Sequence, residues 1–332
     1  MLPPQDASRI AVVGAGRWGL NHVRTLHGIG WLHAVVEPDP ARREALAAEF
    51  PGIRLLDVDD LNALADAPPD GVVIAAPAAL HLPLARRTLG MGLHTLVEKP
   101  LALDAAGGRE LLALAAARGV VLGVGHLLEY HPARLALQAL VDTGRLGRLR
   151  TLRMVRTNLG TVRTEENVLQ SFAPHDLSTA LGLAGERPVR AWARGVAAIG
   201  RVEDTVAWHL EFPSGLSVQG TASWMEPVKE HRLVAVGDRG MAIWDDTPGR
   251  RGVTFYPVEV VRGEAPRLTL GAAPAGEEIP VGDETPLEGE LRAFAAACKG
   301  APLPTDGAQG VAVLEIMDAL MDSLSAGRTV EP

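Results

Sequence analysis

The sequence predicts an α/β chain of two domains, an N-terminal doubly wound parallel sheet followed by an α+β domain on an open, mostly antiparallel sheet. Three observations carry this. Between residues 9 and 124, short apolar runs alternate with helix-length segments, an order that right-handed crossovers turn into a parallel sheet. Beyond residue 125, runs of strand character follow one another through Gly/Pro turns with two helices between them. The chain has 332 residues, 47% of them apolar, which supplies two cores at the usual roughly 100 to 200 residues each.

Taken in order, Arg9 to Val13 reads as a buried strand, Gly14 to Gly19 as a glycine-rich turn and Leu20 to Ile29 as a helix. Strands follow at Leu32 to Val36, Gly71 to Ala75, Thr95 to Glu98 and Val120 to Val124, with helices around Ala41 to Glu49, Pro83 to Gly90 and Asp104 to Arg118. The first domain is placed at residues 1–125 and the second at 126–332, its closing helices free to pack back on the first. In the second, strands are expected at Leu149 to Thr157, Ala191 to Val196, Thr205 to Phe212, Leu216 to Ala222 and His231 to Gly237, and helices at Pro132 to Thr143 and around Asp176 to Leu183. Val260 to Thr285 is rich in Gly, Pro and Glu without periodicity and reads as a long surface excursion before closing helices at Pro286 to Cys298 and Ala308 to Ala326. There is no internal repeat.

Charge and composition exclude several classes. A net charge of -8 with no Lys/Arg-rich run argues against a nucleic-acid partner. The single cysteine, Cys298, rules out an intramolecular disulfide and a multi-cysteine metal cluster, and reads as a small apolar residue in a helix. No run approaches the ~20 apolar residues of a membrane span, and the leader MLPPQDAS has neither the basic nor the apolar part of a signal peptide, so a cytoplasmic protein away from the membrane is expected.

Gly14-Ala15-Gly16-Arg17-Trp18-Gly19 fits G-x-G-x-x-G, and it follows an apolar strand and opens a helix, the context that the Rossmann dinucleotide fingerprint requires. The first glycine permits the tight turn, the second lets backbone approach a pyrophosphate and the third lets helix pack on strand. Glu37 closes the second strand, where an acid accepts hydrogen bonds from both hydroxyls of an adenine ribose and repels a 2′-phosphate. NAD is therefore expected over NADP, although Arg42 and Arg43 stand close enough to offset part of that repulsion. Glu98-Lys99-Pro100 ends the strand at the sheet edge where ligands bind. Lys99 is either a solvated strand-end lysine or, facing the nicotinamide, a donor to a substrate hydroxyl that takes part in proton transfer. Whether Pro100 is cis is left open by the sequence.

The order and spacing of G-x-G-x-x-G, the A-A-P-x-x-x-H stretch from Ala75 to His81 and E-K-P resemble the glucose-fructose oxidoreductase and inositol dehydrogenase family. The resemblance runs through Gly123 to Ala133 and on to Ser323 to Gly327, covering almost the whole chain. It implies a nicotinamide enzyme acting on a sugar, a cyclitol or a nucleotide-linked sugar. It also implies a homo-oligomer, dimer or tetramer, built through the open face of the second sheet. Ala76, Pro77 and His81 match positions that line the cofactor in such enzymes, beside Gly14 to Gly19, Glu37, Glu98 and Lys99.

Many family members carry an Asp four residues before a His on one helix face. His175 matches that histidine and is assigned as the base that takes the hydroxyl proton, with Lys99 as its catalytic partner. Ser171 stands where the family has Asp; a serine hydrogen-bonds substrate but holds no countercharge, so it is assigned to binding. The segment Asn158 to Leu169, with Ser223 to Lys229, is similar to the subgroup of nucleotide-sugar 3-dehydrogenases of polysaccharide assembly. On that resemblance Asn158, Arg163, Asn167 and Lys229 are candidates for sugar or nucleotide oxygens, Arg163 alternatively pairing with Glu165 or Glu166. Leu127, Leu128 and Glu129 replace polar residues usual in the family, while Tyr130 keeps the aromatic and is a further substrate candidate. His126 and His131 lie five apart without an acidic set, and no metal is expected. The rival to an enzyme is a non-catalytic NAD-binding regulator on the same fold, favoured by the loss of Asp at position 171 and opposed by Lys99 and His175.

Overall fold

The computed structural model describes residues 8–160, 163–164, 166–247, 250–258 and 275–332. In chain order the first elements are β1 (Ile10–Val13), α1 (Gly19–Gly28), β2 (Leu32–Val36), α2 (Pro40–Glu49), β3 (Arg54–Leu56), β4 (Gly71–Ile74), α3 (His81–Gly90), β5 (Thr95–Glu98), α4 (Ala105–Arg118) and β6 (Leu122–Gly125). Then come α5 (Pro132–Asp142), β7 (Leu149–Thr157), α6 (Val168–Ala184), β8 (Arg190–Val196), β9 (Thr205–Glu211), β10 (Ser217–Ser223), β11 (Glu230–Gly237), β12 (Met241–Thr247), β13 (Arg250–Tyr256) and β14 (Glu277–Ile279). The last two are α7 (Pro286–Ala297) and α8 (Gly307–Ala326). The chain forms two compact units, Met1–Leu127 with Thr285–Leu314, and Leu128–Glu284 with Glu315–Pro332.

In the first unit six strands run parallel in the order β3-β2-β1-β4-β5-β6. Side chains alternate between the faces of a strand, so Ala11 and Val13 enter one core with Leu84 and Leu111, while Ile10 and Val12 enter the other with Val23, Leu26 and Phe294. Because helices cover both faces, these strands read as unbroken apolar runs. The helix α7 belongs here, through Leu291, Phe294 and Ala295. A stripe of apolar residues at helical spacing carries this late segment onto the dinucleotide sheet. Cys298 caps α7, half-buried, its thiol pushed up to about 12 by burial and then by Asp70.

In the second unit eight strands form the sheet β14-β13-β12-β11-β7-β10-β9-β8, in which β10 runs parallel to β7 and every other neighbour antiparallel. The helices α5 and α6 pack on one face. Along β11 burial alternates residue by residue, as a sheet covered on one side requires. The sequence reading missed β3, β12, β13 and β14. Two of these are only three residues long, and much of the expected excursion at Val260 to Thr285 lies outside the described residues. It also started α6 eight residues late: the helix runs through Pro174 and begins at a capping box in which the Asn167 and Gln170 side chains each accept from the other's backbone amide.

Candidate active site

The glycine turn follows β1 directly. Gly14 adopts φ +92°, a conformation reserved for glycine, and a Cβ at Gly19 would lie 2.0 Å from the Gly14 carbonyl oxygen. A Cβ at Gly16 would meet nothing within 4 Å, so the outer side of the turn is open to a ligand. The backbone of Gly14 donates to the Val36 carbonyl at 2.8 Å, and the Ala15 amide donates to Glu37 Oε2 at 2.7 Å. Glu37 is 1% exposed and also accepts from the Asp39 amide at 3.0 Å. These bonds fix the carboxylate at the end of β2. Arg42 approaches Glu37 Oε1 at 3.5 Å, whereas Arg43 is turned to Asp57 at 2.8 Å.

The E-K-P turn is held from below. Glu98 Oε1 accepts from His22 Nε2 at 2.7 Å and from the Trp18 indole, and Oε2 accepts from the Lys99 amide at 3.1 Å. Burial alone would raise the Glu98 carboxyl, but the bond and charge of His22, the Trp18 indole and the Lys99 amide outweigh it and hold the group below its ordinary range. Glu98 is thus spent on protein partners, and it joins the glycine turn to Lys99. His81, 2% exposed, sets one ring nitrogen 2.8 Å from the Ala76 carbonyl and the other 2.6 Å from that of Pro100. It clamps the A-A-P stretch to the E-K-P turn; Pro77 and Arg17 are exposed and Ala76 half-buried beside them. The Lys99–Pro100 bond is cis. His126, 2% exposed, is pushed down to about 4, first by burial and then by Lys99, against an opposing pull from Glu98.

In the second unit Ser171, buried, and His175, half-buried, stand one turn apart on α6, as the sequence implied. Asp176 is the adjacent acid, but Arg156 forks onto it through Nε at 3.1 Å and Nη2 at 2.6 Å. Arg156 also meets His231 at 2.9 Å, and burial followed by the Arg156 charge lowers His231 against the pull of Asp246 and Asp176. The Asn158 backbone N–H donates to the Ser223 carbonyl at 3.0 Å, joining the ends of the parallel pair β7 and β10; Lys229 is exposed in the loop after β10. Tyr130 is buried.

Two candidates fall elsewhere. Asn167 is 2% exposed, and its amide serves the helix cap, Glu203 at 3.0 Å and the Met321 sulfur at 3.4 Å, so it is a structural residue rather than a sugar contact. Arg163 pairs with Glu166, the ion-pair alternative of the sequence reading. Lys99 lies in the first unit and His175 in the second. The sequence reading missed His22 and Glu290. His22 follows the third glycine by three residues, and Glu290 interrupts the apolar stripe of Leu287, Leu291 and Phe294; a polar residue on a buried face was the signal.

A strand, a glycine turn of this geometry and an anchored acid at the end of the second strand define a dinucleotide-binding α/β protein. Residues 8–126 match the family model described as oxidoreductase family, NAD-binding Rossmann fold, and residues 135–243 match the GFO/IDH/MocA C-terminal domain. The chain belongs to this oxidoreductase family, and NAD is its cofactor. It is 31% identical over 228 residues, 68% of this chain and 70% of the relative, to a UDP-N-acetylglucosamine 3-dehydrogenase of Acidithiobacillus ferrooxidans. It is 30% identical over 273 residues, 78% of this chain and 81% of the relative, to a myo-inositol dehydrogenase of Streptomyces leeuwenhoekii. A solved structure of the Acidithiobacillus ferrooxidans enzyme superposes with TM-score 0.84 at 26% identity over 96% of this chain and 98% of that one. An enzyme of gentamicin A biosynthesis solved in complex with NAD gives TM-score 0.80 at 27% identity over 100% of this chain and 99% of that one. Among the described residues no helix is long and apolar enough to cross a membrane.

Proposed function

We propose that this oxidoreductase oxidises a secondary alcohol carbon of a sugar, and that the sugar is linked to a nucleotide. The observation that supports the nucleotide-sugar reading is the similarity to the UDP-N-acetylglucosamine 3-dehydrogenase, which spans nearly the whole of both chains in structure. The residues present fit NAD: Gly16 leaves the turn open, the Ala15 and Asp39 amides fix Glu37 for the adenine ribose, and Glu98 and His81 set the turn that carries Lys99. When bound, NAD supplies the hydride acceptor.

In this reading Lys99 donates a hydrogen bond to the reacting hydroxyl, and His175 takes the proton that leaves as the carbon is oxidised. Ser171 orients the sugar. Asn158 and Lys229 meet its oxygens or the nucleotide phosphates, and Arg163 joins them by leaving Glu166. Binding energy on the remote nucleotide holds the carbon within hydride reach. We place the enzyme in the cytoplasm as a homo-oligomer, dimer or tetramer, associated through the uncovered face of the second sheet.

A panel of UDP-sugars, free hexoses and inositols with NAD, followed at the NADH absorbance band, tests the reading. Turnover of a UDP-sugar with a kcat/KM above that of every free sugar is the expected result. Faster turnover of an inositol would move the assignment to the cyclitol branch of the family. No turnover across the panel, with NAD bound, would favour the regulator.

A further inference from the structure

Beneath the E-K-P turn lies a second acid that the dinucleotide motif does not contain. Glu290, on α7, is 0% exposed, and neither of its carboxyl oxygens has a hydrogen-bond partner. A ring nitrogen of His22 and one carboxyl oxygen each of Glu98 and Glu290 lie within 4.8 Å of one another. The three side chains come from α1, β5 and α7, three elements far apart in sequence, so folding alone assembles them.

Two carboxylates this close, one fully and one almost fully buried, do not both stay charged, because each raises the energy of the other. Glu98 is the one with donors: His22, the Trp18 indole and the Lys99 amide all serve it. Glu290 has none. Burial, followed by the Glu98 charge, accordingly drives the Glu290 carboxyl well above its ordinary range. The other charged or titratable groups around the pair are His22 on α1, Lys99 after β5 and His126 after β6. None of them hydrogen-bonds to a Glu290 carboxyl oxygen.

We propose that Glu290 is a positioning residue of the dinucleotide site: as a neutral carboxylic acid it donates a hydrogen bond to Glu98, and so fixes the carboxylate that ties Trp18 of the glycine turn to the backbone of Lys99. As the side chains stand the bond is not made, and a turn of the Glu290 carboxyl, already within 4.8 Å of Glu98 and His22, is what makes it. The arrangement resembles other carboxyl pairs that share one proton, with the difference that here the pair holds loop geometry and does not touch the reacting atoms. A late segment of the chain thereby reports to a motif almost two hundred residues earlier, and NAD affinity depends on the protonation of a group that never meets NAD.

The proposal rests on NAD binding alone and needs no assumption about the sugar. The dissociation constant for NAD, read by tryptophan fluorescence, is measured between pH 6 and pH 10 for the wild type, Glu290→Gln and Glu290→Met, with melting temperatures beside it. In the wild type affinity falls as the pH rises and Glu290 loses its proton. Glu290→Gln keeps a donor it cannot lose, so it removes that alkaline limb while retaining neutral-pH affinity. Glu290→Met has no donor and binds tenfold or more weakly at every pH. Wild-type affinity in Glu290→Met across the range would overturn the proposal, leaving Glu290 a packing residue. So would neutral-pH loss in Glu290→Gln together with a chelator-sensitive melting temperature in the wild type, which would mean that Glu290 is ionised and neutralised by a cation. If Glu290→Met does not fold, an alkaline limb in Glu290→Gln that superimposes on the wild type overturns it equally.

Discussion

The edge of the first sheet and the His175 face of α6 make opposite use of their polar side chains. At the first, Glu37, Glu98 and His81 are each nearly buried and each spent on the protein itself, on the amides of Ala15, Asp39 and Lys99 and the carbonyls of Ala76 and Pro100. At the second, Asp176 is consumed by Arg156, His175 remains half-buried beside a serine, and Asn158, Arg163 and Lys229 stand on loops. A constant ligand rewards a turn locked in one shape by short hydrogen bonds. Loop residues change without disturbing the sheet, which suits the role proposed for them toward a substrate that varies between relatives.

The strongest way to break this contrast is to remove the two groups assigned to proton handling. Lys99→Met and His175→Ala should each lower turnover by at least a hundredfold, the lower end of what a positioned proton-transfer group is typically worth, about 10² to 10⁴ in rate. NAD affinity should stay near the wild-type value, because the proposed reading gives the adenosine half to the glycine turn and Glu37. Single-turnover rates and NAD titrations, with melting temperatures to confirm folding, check this. A large loss of NAD affinity in His175→Ala would show that the two regions are not separable.

Acid should strike the first region next. His126 prefers its neutral form in the folded chain, so the fold binds fewer protons there than the unfolded chain does between pH 6.5 and about 4, and stability is lost as pH falls through that window. At roughly 1.4 kcal/mol per pH unit the gap from 6.5 to about 4 corresponds to about 3 kcal/mol. His126→Gln, which has no proton to gain, should lose less stability than the wild type by about that amount over the same interval, measured by chemical denaturation. Parallel curves would mean that His126 is not the group that titrates.

Cofactor choice offers a smaller effect. With its carboxylate fixed by two main-chain amides, Glu37 cannot swing away from a 2′-phosphate, and Arg42 is the nearest cation to compensate. NAD should bind at least tenfold more tightly than NADP, equivalent to ~1.4 kcal/mol. Glu37→Gln should narrow that ratio, mainly by improving NADP binding. Equal affinities in the wild type would show that Arg42 outweighs Glu37.

These regions also differ in how far the sequence disclosed them. The glycine turn, Glu37 and E-K-P are contiguous or follow a strand directly, so local pattern places them. What supports them was hidden, because Glu290 and His22 meet Glu98 only through packing of α7 and α1. Glu98 itself was read as a cofactor contact, and its observed partners are protein groups. In the second unit the spacing of Ser171 and His175 was legible because a helix fixes i and i+4 together. Asn167 was misread for the same local reason: an Asn before an apolar run is a cap signal, and the loop motif drew it toward a ligand instead. The Arg156–Asp176–His231 network joins β7, α6 and β11 and has no signature in any one segment.

Ser171 gives the finest test, since it is the residue by which this chain departs from the Asp-x-x-x-His pattern it resembles. Asp176, the residue after His175, is already held by the Arg156 fork. One turn before His175 stands a serine, not a carboxylate. Ser171→Asp introduces that charge, favours the imidazolium form, and should move the limb of the pH–rate profile that reports His175 to higher pH. The direction follows because a nearby negative charge stabilises the protonated ring, so a higher pH is needed to free the base. Ser171→Ala removes only a hydroxyl and should raise the KM for the sugar modestly, by ~0.5 to 1.5 kcal/mol, with that limb unmoved. If the profile of Ser171→Asp superimposes on the wild type while the variant is folded, the introduced carboxylate does not reach the imidazole and the pairing of the two positions across one helical turn has no functional consequence.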